Sequence, residues 1–126
     1  LLVTPLQMAG AVAVLGNDGV RPPLHLLPQP LEGCAAPATA EAETQRVIDA
    51  ATASQVLESL PQYNGGVGHL GTSLAGPDRE QAWFIGLNSP RVPRYGVVVF
   101  LDHVERPSQA VQIGTEILGL VLQLHQ

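Results

Sequence analysis

Residues 66–104 read GVGHLGTSLAGPDREQAWFIGLNSPRVPRYGVVVFLDHV, three apolar, β-rich runs joined by turns of Gly, Pro and Asp. Val67–Leu74 is the first run, Gln81–Leu87 the second and Tyr95–Leu101 the third. The turns at Gly76-Pro77-Asp78 and around Asn88-Ser89-Pro90 are short, which forces consecutive strands to run antiparallel. The third run, Gly96-Val97-Val98-Val99-Phe100-Leu101, does not alternate, so both of its faces are expected to be covered. The first run carries Gly71-Thr72-Ser73, a glycine followed by two hydroxyl residues.

Working outward, Pro107 opens a last helix from Ser108 to about His125. Ala110, Val111, Ile113, Gly114, Ile117, Leu118, Val121 and Leu124 make an amphipathic stripe broad enough to lie on the sheet. Upstream, Asp49 is a good N-cap for a helix over Ala50–Leu60, with Ala53, Val56, Leu57 and Leu60 on one side. Pro61 and Asn64-Gly65-Gly66 stop it. Thr4-Pro5 starts the first helix as hydroxyl cap and N1 proline. Leu6, Met8, Ala9, Val12 and Leu15 follow as one wide buried face, and Gly16-Asn17-Asp18-Gly19 ends the helix. Between the first two helices, prolines leave room only for an edge-like extended piece at Leu24–Leu27. A surface excursion over Gly33–Glu43 and a short extended piece at Thr44–Ile48 complete that stretch. The fold class is α+β, an antiparallel sheet packed with helices, within one domain.

Composition narrows the function. The chain has 126 residues, a hydrophobic fraction of 45% and a net charge of −5. That is apolar enough for a core and too acidic for the basic stripe a nucleic-acid partner requires. Arg91, Arg94 and Arg106 are the nearest thing to a basic cluster and read as a solvated strand-end feature. Cys34 stands alone among small residues, so neither an intrachain disulfide nor a redox pair is available. His25, His69, His103 and His125 fall at no metal-ligand spacing, and no metal or cofactor is expected. No run is long enough to cross a bilayer and no signal peptide is visible. The chain begins Leu-Leu without Met and reads as a piece of something longer.

The order of these pieces is distinctive: a T-P-L-Q-M-A helix ending in N-D-G, a proline-rich extended segment, and an Asp49-Ala-Ala-Thr-Ala helix start. Then come x-G-T-S on a strand, a W-F-I-G-L strand, a R-Y-G-V-V-V-F-L strand and an amphipathic C-terminal helix. This resembles the C-terminal portion of the transpeptidase domain of penicillin-binding proteins, with the three strands matching the C-terminal strands of a transpeptidase/β-lactamase-like sheet. Each motif alone is weak; six in the right order and spacing are moderately specific. The likeness covers nearly all of the chain but only part of the family's domain, so residues 1–126 read as a single partial domain.

What the resemblance implies is peptidoglycan cross-linking in the extracytoplasmic cell envelope. A serine attacks the D-Ala-D-Ala end of a stem peptide, a second stem resolves the acyl-enzyme, and β-lactams trap the same serine. The chemistry uses S-x-x-K, S-x-N and a K-T-G-T strand, with a lysine that activates the hydroxyl. All six basic residues here are arginine and none is lysine, so no S-x-x-K exists. None of Ser54, Ser59, Ser73, Ser89 or Ser108 begins a S-x-N. In the family both motifs lie before the position of Leu1, so no catalytic residue is assigned.

The third motif is present but altered. His69, Leu70, Gly71, Thr72 and Ser73 occupy the positions of K-T-G-T and the residue after it. The resemblance makes His69, Gly71, Thr72 and Ser73 the substrate-binding candidates. Gly71 keeps close approach, Thr72 keeps the carboxylate-holding hydroxyl, and His69 replaces the lysine. A shorter, mostly neutral histidine gives up a charge-assisted contact worth roughly 1.5–3 kcal/mol. That is about tenfold to hundredfold in affinity.

Each residue has a plainer reading. His69, whose functional reading is a surrogate base or a pH-gated carboxylate contact, is then a degenerated strand position, and Thr72 and Ser73 are ordinary strand residues. Trp83 and Phe84 are read as packing. Asp102-His103 followed by Glu105 suggests a hydrolase pair, but adjacent strand residues point to opposite faces, so it is set aside. Three functions follow: a transpeptidase part that is not competent alone, a non-catalytic interaction or scaffold module derived from it, and an unrelated α/β domain of similar element order. In the family the sheet has five strands, two from far upstream, so the Tyr95–Leu101 strand would expose an unpaired edge. That edge is expected to be filled by a second copy, a segment such as Leu24–Leu27, or an upstream half.

Overall fold

The computed structural model describes residues 2–23 and 44–125. The expected pieces at Leu24–Leu27 and Gly33–Glu43, with His25 and Cys34, lie outside them. Helix α1 spans Pro5–Gly16 and starts as its sequence dictates. The Thr4 hydroxyl accepts from the Gln7 amide at 3.2 Å, and the Gln7 side chain accepts from the Thr4 amide at 2.8 Å. Two orphan donors are thereby satisfied in a capping box. Strands β1 (Val20–Arg21) and β2 (Gln45–Arg46) pair antiparallel, so the extended piece expected at Thr44–Ile48 exists and has a partner. Helix α2 spans Ala50–Ser59, with the Asp49 carboxylate accepting from the Thr52 amide at 2.8 Å. That bond, first among several, holds the Asp49 carboxyl below its ordinary value.

The main sheet has four strands in sequential order: β3 (Gln62–Tyr63), β4 (Gly66–Leu74), β5 (Glu80–Leu87) and β6 (Gly96–Asp102). The three long strands fall within one residue of the expected bounds and run antiparallel. Strand β3 is the addition. Asn64-Gly65 does not merely stop α2; with Gly65 at positive φ it turns the chain so that Gln62–Tyr63 pairs with Gly66–Val67. Helix α3 spans Ser108–Leu124.

Alternation sorts the strand residues onto two faces. Ala82, Phe84, Val99, Val104 and Ala110 form one core, with Leu70, Val97 and Leu101 packed against it under α3. Val12, Leu57, Val67 and Leu87 form the other, with Leu15, Ile85 and Val98 packed against it under α1 and α2. Both faces of β6 are therefore packed, as its unbroken apolar run requires. Phe84 is the anchor of the first core at 1% exposure, a burial worth roughly 1.5–3 kcal/mol. Trp83 lies on the opposite face, against Phe100 with ring centroids 4.5 Å apart, and the pair belongs to neither core.

Two apolar stripes differ from expectation. On α1 the buried residues are Val12 and Val14, while Leu6 is 58% exposed. The uncharged helix has apolar residues all round, and only its second half reaches the sheet. On α3 the seat is Ala110, Gly114 and Leu118; Ile113, Ile117 and Leu124 are exposed rather than laid on the sheet. At about 100° per residue they fall on a flank beside the seat. The back of α3 is polar, with Gln109, Gln112, Glu116 and Gln123 all exposed. The opposite flank, at Thr115 and Gly119, adjoins the β3–β4 turn at Gly65. The apolar flank of Ile113, Ile117, Leu120 and Leu124 thus overhangs the β6 side of the sheet.

Candidate functional site

Strand β4 places the candidate residues, and its pairing explains why they are accessible. It is joined along its length to β5 on one side, but on the other only Gly66 and Val67 meet β3. The Gly68 amide points outward and donates to Pro61 O at 3.0 Å. Alternate residues of an antiparallel strand turn both backbone groups the same way, so Leu70 and Thr72 also present theirs outward. Among the described residues no strand pairs with that edge beyond Val67.

The side chains divide between the two faces. The register sets Leu70 against Phe84 and Thr72 against Ala82, which puts Thr72 on the α3 face. His69, Gly71 and Ser73 lie on the other face, against Ile85, Trp83 and Gln81. The strand therefore brings three of the four candidates together and turns Thr72 to the far side. Thr72 is exposed at the edge, not packed in hydrocarbon. His69 and Ser73 are exposed too, and a Cβ built on Gly71 would meet nothing within 4 Å among the described residues. The result is an open slot at Gly71 between an imidazole and a hydroxyl.

A polar row supports the Ser73 end, and the sequence reading did not anticipate it. The Ser73 hydroxyl donates to Gln81 Oε1 at 3.3 Å, and Gln81 Nε2 donates to Asp102 Oδ1 at 3.1 Å. Arg79 donates to both oxygens of Asp102, Nε to Oδ1 at 2.9 Å and the terminal nitrogen to Oδ2. These bonds, Arg79 first and Gln81 second, hold the Asp102 carboxyl well below the usual carboxylate range. The signal was in the register: two short turns align Ser73 with Gln81 and Gln81 with Asp102.

Asp102 has no hydrolase partner in His103, whose Nδ1 lies 3.9 Å away, too far for a hydrogen bond. The reason differs from the one expected. β6 ends at Asp102, and His103 sits outside it at φ 56°, so no strand alternation separates them. The arginine trio is not a cluster either, since Arg91 and Arg94 precede β6 and Arg106 follows it. One cleft runs between α1 and the start of β6, by Val12, Pro93 and Tyr95; another lies at the β4–β5 turn, by Arg79, His103 and Glu105. Neither includes the four candidates, which form an open strand edge. Among the described residues no three His, Cys, Asp or Glu side chains gather as a metal site, and no helix is long and apolar enough to cross a membrane.

An antiparallel sheet with a C-terminal helix on one face, two helices on the other and a G-T-S edge strand defines a transpeptidase-like α+β protein. The chain belongs to the penicillin binding protein transpeptidase domain family, which matches residues 1–119. No curated protein matches it. The crystal structure of a peptidoglycan synthetase from Bifidobacterium adolescentis superposes with a TM-score of 0.71 at 22% identity. The match covers 98% of this chain and 27% of that one, and at this identity it speaks to the fold alone. Family membership removes the reading as an unrelated α/β domain.

Proposed function

We propose that these residues are the C-terminal part of a D,D-transpeptidase domain of the cell envelope. The outer edge of β4 receives the carboxylate end of a D-Ala-D-Ala stem peptide, or a β-lactam, without supplying the nucleophile. The observation that carries this reading is the edge from His69 to Leu74, which no other strand among the described residues pairs with, its outward backbone groups at Leu70 and Thr72, and the space that those residues leave at Gly71. An extended peptide adds to such an edge through main-chain hydrogen bonds, and neighbouring side chains select it. Thr72 and Ser73 contribute hydroxyls from the two sides of the strand. The absence of lysine from all 126 residues leaves nothing in the chain to play the S-x-x-K base.

NMR titration with an acylated D-Ala-D-Ala peptide tests the site, with shifts expected at Gly68–Leu74; shifts confined to other elements would remove β4 from the reading. Labelling with a fluorescent penicillin tests the chemistry. Reversible binding without a covalent adduct is expected, and an adduct on this chain would show that it holds a nucleophile after all.

The second reading, a transpeptidase-derived interaction module without turnover, is favoured by His69 and Leu70 standing where the family has lysine and a hydroxyl residue. The discriminating observation is the sequence before Leu1: S-x-x-K and S-x-N there make an enzyme, and their absence makes a scaffold. Either way, we propose that β6 is the association edge, paired with a second copy or an upstream half.

A further inference from the structure

We propose that His69 makes ligand binding at β4 acid-dependent, with the imidazole supplying the positive charge for a peptide carboxylate only when protonated. This rests on the reading of β4 as the carboxylate-binding edge. The geometry is favourable: His69 is exposed, shares a face with Gly71 and Ser73, and stands two residues from the open slot, about 7 Å along the strand.

Among the described residues no charged group pairs with the imidazole. On the elements packed against β4, the titratable groups are Tyr63 on β3, Glu80 on β5 and Glu116 on α3. The Tyr63 ring packs edge-on against Phe84, on the α3 side. Glu80 aligns with Leu74 on that same side, and Glu116 lies on the polar back of α3. On the His69 face, Arg79 and Asp102 hold one another at the Ser73 end. Helix α2, whose Leu57 shares a core with Val67, carries one charged residue, Glu58, which is exposed and makes no ion pair among the described residues. Among the described residues no ion pair reaches His69. A charge formed there is therefore available to a ligand.

Histidine is the side chain whose charge changes between about pH 5 and 8, while a peptide's C-terminal carboxylate, with a value near 3.5, stays ionised throughout. Acid thus adds the cation without removing the anion. Where a lysine would bind at all neutral pH values, this edge binds in acid and releases as pH rises.

The test is titration of an acylated D-Ala-D-Ala peptide into the chain at pH 5.5 and 7.5, using the wild type, His69→Lys and His69→Gln. The wild type is expected to bind about tenfold more tightly at pH 5.5, the order of one charge-assisted contact. His69→Lys is expected to bind equally well at both values, and His69→Gln weakly at both. Tight pH-independent binding by His69→Lys with no pH effect in the wild type overturns this proposal and leaves the β4 reading standing. A pH effect that persists in His69→Gln places the titration elsewhere and also overturns it. No binding by any of the three, His69→Lys included, overturns both.

Discussion

The ring of Phe84 on β5 lies where a side chain at Gly114 of α3 would begin, so the helix touches the sheet through its bare backbone. A Cβ at Gly114 would run into Phe84 Cδ1 and Cε1. Overpacking of this kind costs about 1–3 kcal/mol, and replacing a helical glycine by alanine returns about 1 kcal/mol of propensity. Gly114→Ala is therefore expected to lower stability by up to about 2 kcal/mol in denaturant melts. Combining it with Phe84→Leu should cost less than the two changes summed, because the smaller side chain makes room. A more stable Gly114→Ala variant would mean that α3 is not seated there.

The seat and the flank of α3 respond differently to substitution. Leu118 is 2% exposed and Ile117 is 41% exposed. Leu118→Ala is expected to cost about 2–5 kcal/mol, whereas Ile117→Gln should fall within about 0.5 kcal/mol of the wild type while the flank remains in water. Equal losses at both positions would restore the broad stripe expected from sequence.

The three long strands were legible because Gly76-Pro77-Asp78 and Asn88-Ser89-Pro90 interrupt apolar runs with turn chemistry that acts locally. The helix starts at Thr4 and Asp49 were legible for the same reason, since a cap is settled within three residues. Ile113 and Ile117 were misplaced because an apolar residue has the same periodicity whether it meets a sheet or waits for a partner. The division of Thr72 from Ser73 follows from strand alternation and was available, but the likeness to K-T-G-T encouraged treating them as one group. The support of Ser73 by Asp102 depends on register across two hairpins, and a one-residue shift would have removed it.

The Arg79–Asp102–Gln81 row should make stability sensitive to acid. A carboxyl held below its ordinary value of 3.8 binds protons more weakly folded than unfolded. Its contribution is complete above the unfolded value and fades as pH falls below it toward the folded one. Thermal midpoints measured from pH 7 to pH 2.5 should drop more steeply in the wild type than in Asp102→Asn below about pH 4. Parallel curves would show that the row carries no pH-linked stability. Because the pair is exposed, the midpoint difference at neutral pH should be small.

Among the described residues strand β6 ends the sheet, on the side that the apolar flank of α3 overhangs. On that flank Ile113, Ile117, Leu120 and Leu124 are 39%, 41%, 59% and 81% exposed. A free strand edge beneath an apolar overhang favours added strands, since one occupant satisfies backbone groups and buries side chains together. Sedimentation of the 126-residue chain is expected to show association that weakens when Ile117→Glu places a charge on the flank. Outward-facing amides within Val97–Leu101 should exchange slowly with deuterium in the associated form. A monodisperse monomer whose β6 amides exchange quickly would refute association through this edge.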